Sequence, residues 1–248
     1  RQTASKFSTI NSLNLETLST KELEKAACCN LSESFGTNAS VDVAINDGVS
    51  GAKKIKMLGL DGVYTQITHE NMPLIRGLSS AFGLTHVPGT WIESIQIIKG
   101  NGSVINGFES FTGQINLEYF KPESADKIFL NLYGNGDGKI ENNLILSKRK
   151  GNWQSNLFTH ISSHSIDHDR NSDGFLDMPK YNQFNFLNRW KYFGNPKYAM
   201  QVYVRGLMED REGGTYDDRV SPFEVNIDNR LLELSTKTGL IMPKQVGK

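Results

Sequence analysis

From residue 126 to residue 248, apolar and polar residues alternate with a period of two, which restricts this part of the chain to half-apolar β-strands. About six such stretches follow one another, separated by turn signals. The apolar side includes Ile128, Leu144, Leu157, Phe184, Val202 and Leu232. No run of about 18 apolar residues is present, so no membrane-spanning helix is predicted. This half of the chain is therefore predicted to form an antiparallel sheet with one apolar face.

Two architectures are consistent with this alternation. A soluble sandwich buries the apolar face against a second sheet, whereas a membrane barrel turns it toward lipid. Short links at 149–152 and 193–196 alternate with long links at about 163–180 and 209–229, as in a barrel with short turns at one end. Aromatic residues cluster beside the short links, namely Trp153, Trp190, Tyr192, Phe193 and Tyr198. These features favour the membrane barrel, and the sandwich stays open as a soluble, calcium-dependent carbohydrate-binding alternative.

The first half, residues 1–122, is interrupted by glycines and contains short apolar segments of mixed type, which predicts a small α+β unit. One helix is predicted between Ser19 and Gly36, because Ser19 and Glu22 have capping-box spacing and apolar residues recur every four positions as far as Phe35. The adjacent Cys28 and Cys29 provide neither a disulfide framework nor metal-ligand spacing.

Composition narrows the classes of function. The chain has 27 basic and 27 acidic side chains, so no attraction to nucleic acid is indicated. It contains no nucleophile motif and no phosphate-binding loop, and Glu93 and Glu109 are better interpreted as polar residues of the first unit than as an acid/base pair. The sequence therefore does not predict an enzyme.

The stretch IESIQIIKGNGSVINGFESFTGQINLEYFKP, residues 92–122, resembles the signature that ends the plug domain of TonB-dependent outer-membrane receptors, including the Bacteroidetes-type receptors. The matching residues include Glu93, Gly100, Gly107, Gly113 and Asn116. The resemblance implies an α+β plug domain over 1–122, followed over 123–248 by the first antiparallel strands of a transmembrane β-barrel. In this family a barrel of about 22 strands encloses the plug.

The function implied by the resemblance is uptake in the Gram-negative outer membrane. Such a receptor binds a scarce solute outside the cell and imports it when a TonB-type energy-transducing protein acts on the plug. The motif that contacts this partner is not evident in residues 1–15. Six strands cannot close around a plug, so the chain is expected to be part of a longer one. The alternative is a truncated plug-bearing subunit that blocks or scaffolds other outer-membrane subunits.

The stretch DHDRNSDGFLD, residues 167–177, resembles part of a calcium loop. Its oxygen donors have the required spacing and Gly174 permits the sharp turn, but Lys180 stands where a bidentate glutamate would close the site. The predicted calcium ligands are Asp167, Asp169, Asn171, Asp173, Phe175 through its carbonyl, and Asp177, with Asp210, Asp217 and Asp218 from the next long link. Calcium-binding outer loops are known in the vitamin B12 receptor of the resembled family. A metal-free, Asx-rich turn is the alternative.

Candidate substrate contacts follow from the resemblance, because such receptors bind solutes with the apices of the plug and with inward-facing loops. The candidates are His69, Met72, Phe82, His86 and Trp91. Imidazole and thioether groups among them suit a borderline or soft metal or its chelate. Packing within the plug is the alternative role for these side chains. The sequence leaves siderophore, cobalamin, metal chelate, glycan and peptide all open as the solute.

Overall fold

The computed structural model describes residues 5–7, 14–25, 30–36, 38–101, 109–195, 197–215 and 221–240. The chain divides into two compact units, Arg1–Phe120 and Lys121–Lys248, close to the boundary that the sequence predicts at residue 122. Among the described residues, no helix is both long enough and apolar enough to cross a membrane.

The first unit is an α+β domain, as the sequence predicts. Its helices are α1 (Thr20–Lys25) and α2 (Leu31–Ser34), and its strands are β1 (Ser5–Phe7), β2 (Asn14–Ser19), β3 (Val41–Asp47), β4 (Ala52–Met57), β5 (Leu60–Asp61), β6 (Thr65–His69), β7 (Met72–Ile75), β8 (Ile92–Lys99) and β9 (Gly113–Tyr119). One sheet has the order β1-β2-β8-β9-β6-β7, in which only β6 and β9 run parallel, and β3-β4-β5 form a second sheet. Strands β8 and β9 are therefore the two central strands of the larger sheet.

The core of the first unit is built on these central strands. Ile95 and Ile97 of β8 and Ile115 and Leu117 of β9 are all fully buried. Their positions alternate along each strand, so they share a face of the sheet, and their register pairs Ile95 with Leu117 and Ile97 with Ile115. The segment that carries the plug signature thus supplies the hydrophobic centre of the domain.

The prediction of one continuous helix between Ser19 and Gly36 is wrong, because the chain is not helical at Asn30. Asn30 has extended backbone angles, φ −145° and ψ 172°, and its side chain accepts a hydrogen bond from the backbone N–H of Ser32. Asn30 is therefore the N-cap of a separate helix, α2, because a capping side chain competes with continuation of the first helix. The apolar residues on which that prediction relied are nevertheless buried, namely Leu23, Leu31 and Phe35. Cys28 and Cys29 lie outside the described residues.

The β3–β4 turn is held by the carboxylate of Asp47. Ser50 donates to it through its side-chain hydroxyl and its backbone N–H, and Val49 donates through its backbone N–H at 3.2 Å. These hydrogen bonds favour the ionised form and lower the pKa of the Asp47 carboxyl below its ordinary value, although burial slightly opposes them.

Asp47→Asn is expected to weaken this turn at neutral pH by a small amount. Because the folded pKa is lowered, the stabilisation is present above the ordinary carboxyl pKa of about 3.9 and is lost as the pH falls through the folded value. Amide-exchange protection factors of β4 should therefore differ between wild type and variant at pH ~7 and converge in acid once the Asp47 carboxyl of the folded protein is protonated. A difference that persists undiminished in acid would contradict the charge-based explanation.

The second unit is an antiparallel meander in which each strand pairs with the next. Its strands are β10 (Ile128–Gly134), β11 (Lys139–Lys150), β12 (Trp153–His164), β13 (Lys180–Asn195), β14 (Tyr198–Gly214) and β15 (Glu224–Leu240). The longest contain 16 or 17 residues, which is ample to cross a bilayer when tilted. The six predicted strands and their order are confirmed.

The polarity of this sheet is reversed relative to a soluble protein. The buried side is mainly polar and includes Glu141, Asn143, Asn156, His160, Ser162, Gln183, Asn185, Arg189, Glu209 and Arg211, with the apolar Ile145, Phe158 and Leu187 among them. The exposed side is apolar and includes Ile128, Leu130, Leu132, Ile140, Trp153, Ile161, Trp190, Met208, Leu232 and Leu234. A sandwich would bury the second set. The sheet is therefore of the transmembrane β-barrel type, with an apolar face for lipid.

The strands extend further into the long links than the sequence predicts. The link between β12 and β13 covers residues 165–179, and that between β14 and β15 covers residues 215–223. Glu209, Asp210 and Glu212 therefore belong to β14 and not to a loop. Beyond the apolar part of each strand, charged residues continue to alternate between the two faces of the sheet. In the sequence, such a charged strand end resembles a loop.

Candidate functional site

Two of the predicted substrate contacts pack inside the first unit on Tyr119. The ring of His69 stacks on the ring of Tyr119 with centroids 4.0 Å apart, and the indole of Trp91 meets the same ring edge-on at 6.0 Å. All three side chains are only 1% exposed. His69 and Trp91 are therefore placed as packing residues, the alternative role that the sequence left open, and do not line an open surface.

The β6–β7 turn next to His69 is fixed by the signature residue Asn116. Glu70 and Asn71 form the turn with left-handed backbone angles, φ 49° and 65°. The side-chain oxygen of Asn116 accepts from the backbone N–H of Asn71 at 2.8 Å and from the hydroxyl of Thr68 at 2.9 Å. Its amide nitrogen donates to Glu118 at 3.0 Å. Asn116 thus connects the central strand β9 to the apex of the β6–β7 hairpin.

The other signature residues also have structural roles. Gly100 has φ 86° and its N–H donates to the carbonyl of Thr112 at 2.8 Å, closing the loop after β8 in a conformation that favours glycine. A Cβ at Gly113 would lie 2.2 Å from the carbonyl oxygen of Ile98 on β8. Glu93 is half-buried and its carbonyl accepts from the hydroxyl of Thr20 at 2.8 Å. Gly107 lies outside the described residues.

The remaining predicted substrate contacts are more accessible. Phe82 and His86 lie in the turns between β7 and β8, are half-buried and stack with centroids 6.4 Å apart. The backbone N–H groups of Thr85 and His86 both donate to the carbonyl of Phe82, which holds this turn together. Met72 is half-buried at the start of β7. These three side chains could offer aromatic, imidazole and thioether groups to a ligand.

The acidic stretch between β12 and β13 forms a compact Asx-rich turn. Asp169 accepts from the backbone N–H groups of Asp173 and Gly174, and Asp173 accepts from that of Phe175 at 2.9 Å. The amide of Asn171 donates to Asp173 at 2.8 Å. Asp177 accepts from the backbone N–H of Arg170 at 2.9 Å. The side-chain oxygens predicted to bind calcium therefore make hydrogen bonds within the loop.

Two further predicted calcium ligands are engaged elsewhere. Asp167 pairs with Lys180 at 3.2 Å, and Asp210 of β14 pairs with Arg230 of β15 at 2.7 Å. Asp217 and Asp218 lie outside the described residues. Within the described part of the chain, no group of three or more His, Cys, Asp or Glu side chains converges so as to hold a metal ion. These residues alone do not form a closed calcium site.

The buried polar face of the second unit carries residues that sequence reasoning did not select as a site. Glu209, which is fully buried, accepts from Arg211 of the same strand and from Asn229 of β15 at 2.9 Å. His160 shares a hydrogen bond of 2.7 Å with Asn143 of β11. The alternation assigns each of these residues to the polar face, but the pairing register between strands, which joins them, is not visible in the sequence.

Comparisons with known proteins agree with both units. The family profile described as TonB-dependent Receptor Plug Domain matches residues 9–114. No curated protein sequence matches the chain.

Several solved structures are similar to the chain in fold. Pseudomonas aeruginosa FpvA bound to an iron–pyoverdine complex has a TM-score of 0.76 at 12% identity, over 96% of this chain and 33% of FpvA. The copper transporter OprC has a TM-score of 0.64 at 11% identity, over 82% of this chain and 31% of OprC. The siderophore receptor PiuA from Acinetobacter baumannii has a TM-score of 0.62 at 14% identity, over 84% and 29%. The chain thus spans about a third of the length of these structures, and such identities support the fold alone.

Proposed function

We propose that this chain, whose residues 9–114 match the plug domain of TonB-dependent receptors, is part of such a receptor and takes part in uptake of a scarce metal chelate across the Gram-negative outer membrane. The observation that carries the proposal is the order of the two units. A plug domain is followed directly by strands whose apolar side is exposed and whose polar side is buried. This order suits a receptor whose solute path is controlled by the plug.

The family and the fold are those of receptors and transporters and not of enzymes. The family lies in the outer membrane of Gram-negative bacteria, and the exposed apolar face of the second unit suits that location. The energy for import would come from a TonB-type protein acting on the plug. The apolar core of the plug, formed by Ile95 and Ile97 of β8 and by Ile115 and Leu117 of β9, is fully buried, so it suits movement as a packed body rather than a loose loop.

A metal chelate is the proposed class of solute. FpvA is described with an iron–pyoverdine complex, PiuA as a siderophore receptor and OprC as a copper transporter. In this chain, the half-buried Phe82, His86 and Met72 are the proposed contacts, since aromatic, imidazole and thioether groups suit such ligands. His69 and Trp91 would support them indirectly by fixing Tyr119 and the β6–β7 turn.

Energy-dependent uptake tests this proposal. The chain would be expressed in its native gene context in a Gram-negative host that lacks its own receptors for the probes, with and without the host's TonB gene. Radiolabelled ferric pyoverdine, ferric enterobactin and copper(II) are suitable probes, with a labelled glycan as a solute of another class. We expect uptake of at least one metal probe that depends on TonB and declines in the F82A/H86A variant, while the exposed plug variant K21Q retains uptake.

Other results would redirect the proposal. Uptake of the glycan alone would contradict the proposed metal-chelate solute, but it would still be consistent with a transporter. Absence of all uptake, together with inhibition of a co-expressed receptor, would instead support the truncated blocking subunit.

The calcium site in the loop 167–177 stays a prediction, and terbium luminescence checks it. Terbium replaces calcium at oxygen-rich sites, so the full chain should show luminescence that calcium displaces if the loop, with Asp217 and Asp218, completes a site. The D169N/D173N variant should then lose the signal. Luminescence that is absent, or unchanged in this variant, would contradict the calcium prediction and leave the Asx-rich turn.

A further inference from the structure

The apolar face of the second unit ends, near its short turns, in two exposed lysines. Lys148 and Lys150 lie at the end of β11 and continue the same alternate positions as the exposed Ile140 and Leu146. Cross-strand register places Lys150 opposite Trp153 of β12. Both lysines therefore project from the apolar, outward face of the sheet and not from its buried polar face.

Aromatic residues lie beside these lysines on the next two strands, β12 and β13. Trp153 lies opposite Tyr192 of β13, and Lys148 lies opposite Ser155, which in turn faces Trp190. The rings of Trp153 and Tyr192 are 5.0 Å apart, and Trp153 and Trp190 are 47% and 40% exposed. We call Lys148, Lys150, Trp153, Trp190 and Tyr192 the basic–aromatic strip. It has the composition of a membrane interface, where rings with a polar edge lie at the level of the headgroups.

The two lysines of the strip make no ion pair with the residues that the structure describes. No ion pair or side-chain hydrogen bond joins Lys148 or Lys150 to any residue that the structure describes. The cations at the other end of the sheet differ. Lys180 lies between Asp167 and Glu212, at 3.2 and 3.4 Å, and Arg230 lies between Asp210 and Asp228, at 2.7 and 2.9 Å.

The two ends of the outward face are therefore electrostatically unlike. At the end with long links, each of these cations is neutralised by two carboxylates. At the end with short turns, two positive charges lie beside exposed indole rings and have no carboxylate partner in the described part of the chain. An anion at the short-turn end would meet uncompensated positive charge and indole N–H donors, whereas an anion at the other end would meet carboxylates.

We propose that the basic–aromatic strip binds the phosphate headgroup of an anionic glycerophospholipid. The lysine side chains would extend along the apolar surface and place their ammonium groups at the phosphodiester, while the indole and phenol groups lie at the same level. This inference rests on the proposed function for its orientation, since short turns on the periplasmic side place the strip at the inner leaflet of the outer membrane.

Fluorescence quenching by brominated lipid tests the strip in the full chain, because Trp153 and Trp190 belong to it. The protein is reconstituted in bilayers of equal phosphatidylglycerol and phosphatidylcholine, and bromine is carried by one lipid or the other, so that bilayer charge is constant. We expect brominated phosphatidylglycerol to quench more strongly, with a local preference of about fivefold for each lysine. The W153F/W190F variant identifies the part of the quenching that arises at the strip.

The substitution K148Q/K150Q should remove this preference, and ~1 M salt should reduce it, because the Debye length then falls to about 3 Å. The matched control is K21Q/K56Q, which removes the same charge from two exposed lysines of the plug. Equal quenching by the two brominated lipids, or a preference that survives K148Q/K150Q or disappears in the control, would overturn the inference while leaving the receptor in the bilayer. Absence of quenching by either lipid would instead contradict the membrane-spanning sheet, and with it the proposed function.

Discussion

Replacing Gly113 by alanine is expected to lower the stability of the β8–β9 pair by about 3 kcal/mol, at the upper end of the usual range for overpacking. The new Cβ would lie 2.2 Å from the carbonyl oxygen of Ile98 and 2.5 Å from the terminal methyl of Met57. The methionine side chain can move, but the carbonyl belongs to the adjacent central strand. Strand β9 must therefore separate from β8, where the plug has its buried centre.

Hydrogen exchange of β8 and β9 in the full chain measures this loss, which corresponds to a roughly hundredfold decrease in protection. Gly48→Ala is the matched control, because no heavy atom lies within 4 Å of the Cβ that it adds. The G113A/M57A double variant separates the two overlaps. Full recovery of protection in that variant would show that the methionine, and not the strand backbone, prevents a side chain at position 113.

The sequence predicts the second unit well because its environment is simple. A strand between an apolar and a polar medium must alternate, so Ile140, Trp190 and Leu232 could be assigned to one face without knowledge of the fold. Strand ends were not predictable in the same way. Asp210 lies on the outward face of β14, beyond the apolar part of the strand. Its charge is tolerated there because Arg230 on the next strand forms an ion pair with it. Only the register reveals that partner.

The first unit was predictable in class and less so in detail. The recurrence of apolar residues every four positions correctly predicted that Leu23, Leu31 and Phe35 are buried. It did not reveal the side-chain hydrogen bond of Asn30, which divides the predicted helix into two. The candidate site shows the same limit. His69 carries a group that can bind metal, yet its ring stacks on Tyr119, a residue 50 positions away in the sequence. Residue type indicates possible chemistry, whereas long-range packing decides whether a side chain is accessible.

Asn116→Leu is expected to destabilise the β6–β7 turn by about 2 kcal/mol, although leucine has nearly the same size. The substitution removes the acceptor for the backbone N–H of Asn71, whereas the hydroxyl of Thr68 loses its 2.9 Å hydrogen bond but keeps the carbonyl of Ile115 within reach at 3.4 Å. It also removes the donor to Glu118. Each buried polar group left without a partner costs about 1–3 kcal/mol. The turn itself has two residues with left-handed backbone angles, which depend on such support.

The expected loss should be local and should depend on hydrogen bonding rather than on volume. Exchange protection should fall at Glu70, whose N–H donates to the carbonyl of Leu117 at 3.0 Å, and at Asn71. Asn46→Leu is the matched control, since Asn46 is an exposed strand residue of the same unit. Asn116→Asp retains the two acceptor interactions but places a second carboxylate beside Glu118, so it should protect Asn71 better than leucine does while still weakening β9. Equal protection of Asn71 in N116L and wild type would show that the signature asparagine does not hold this turn.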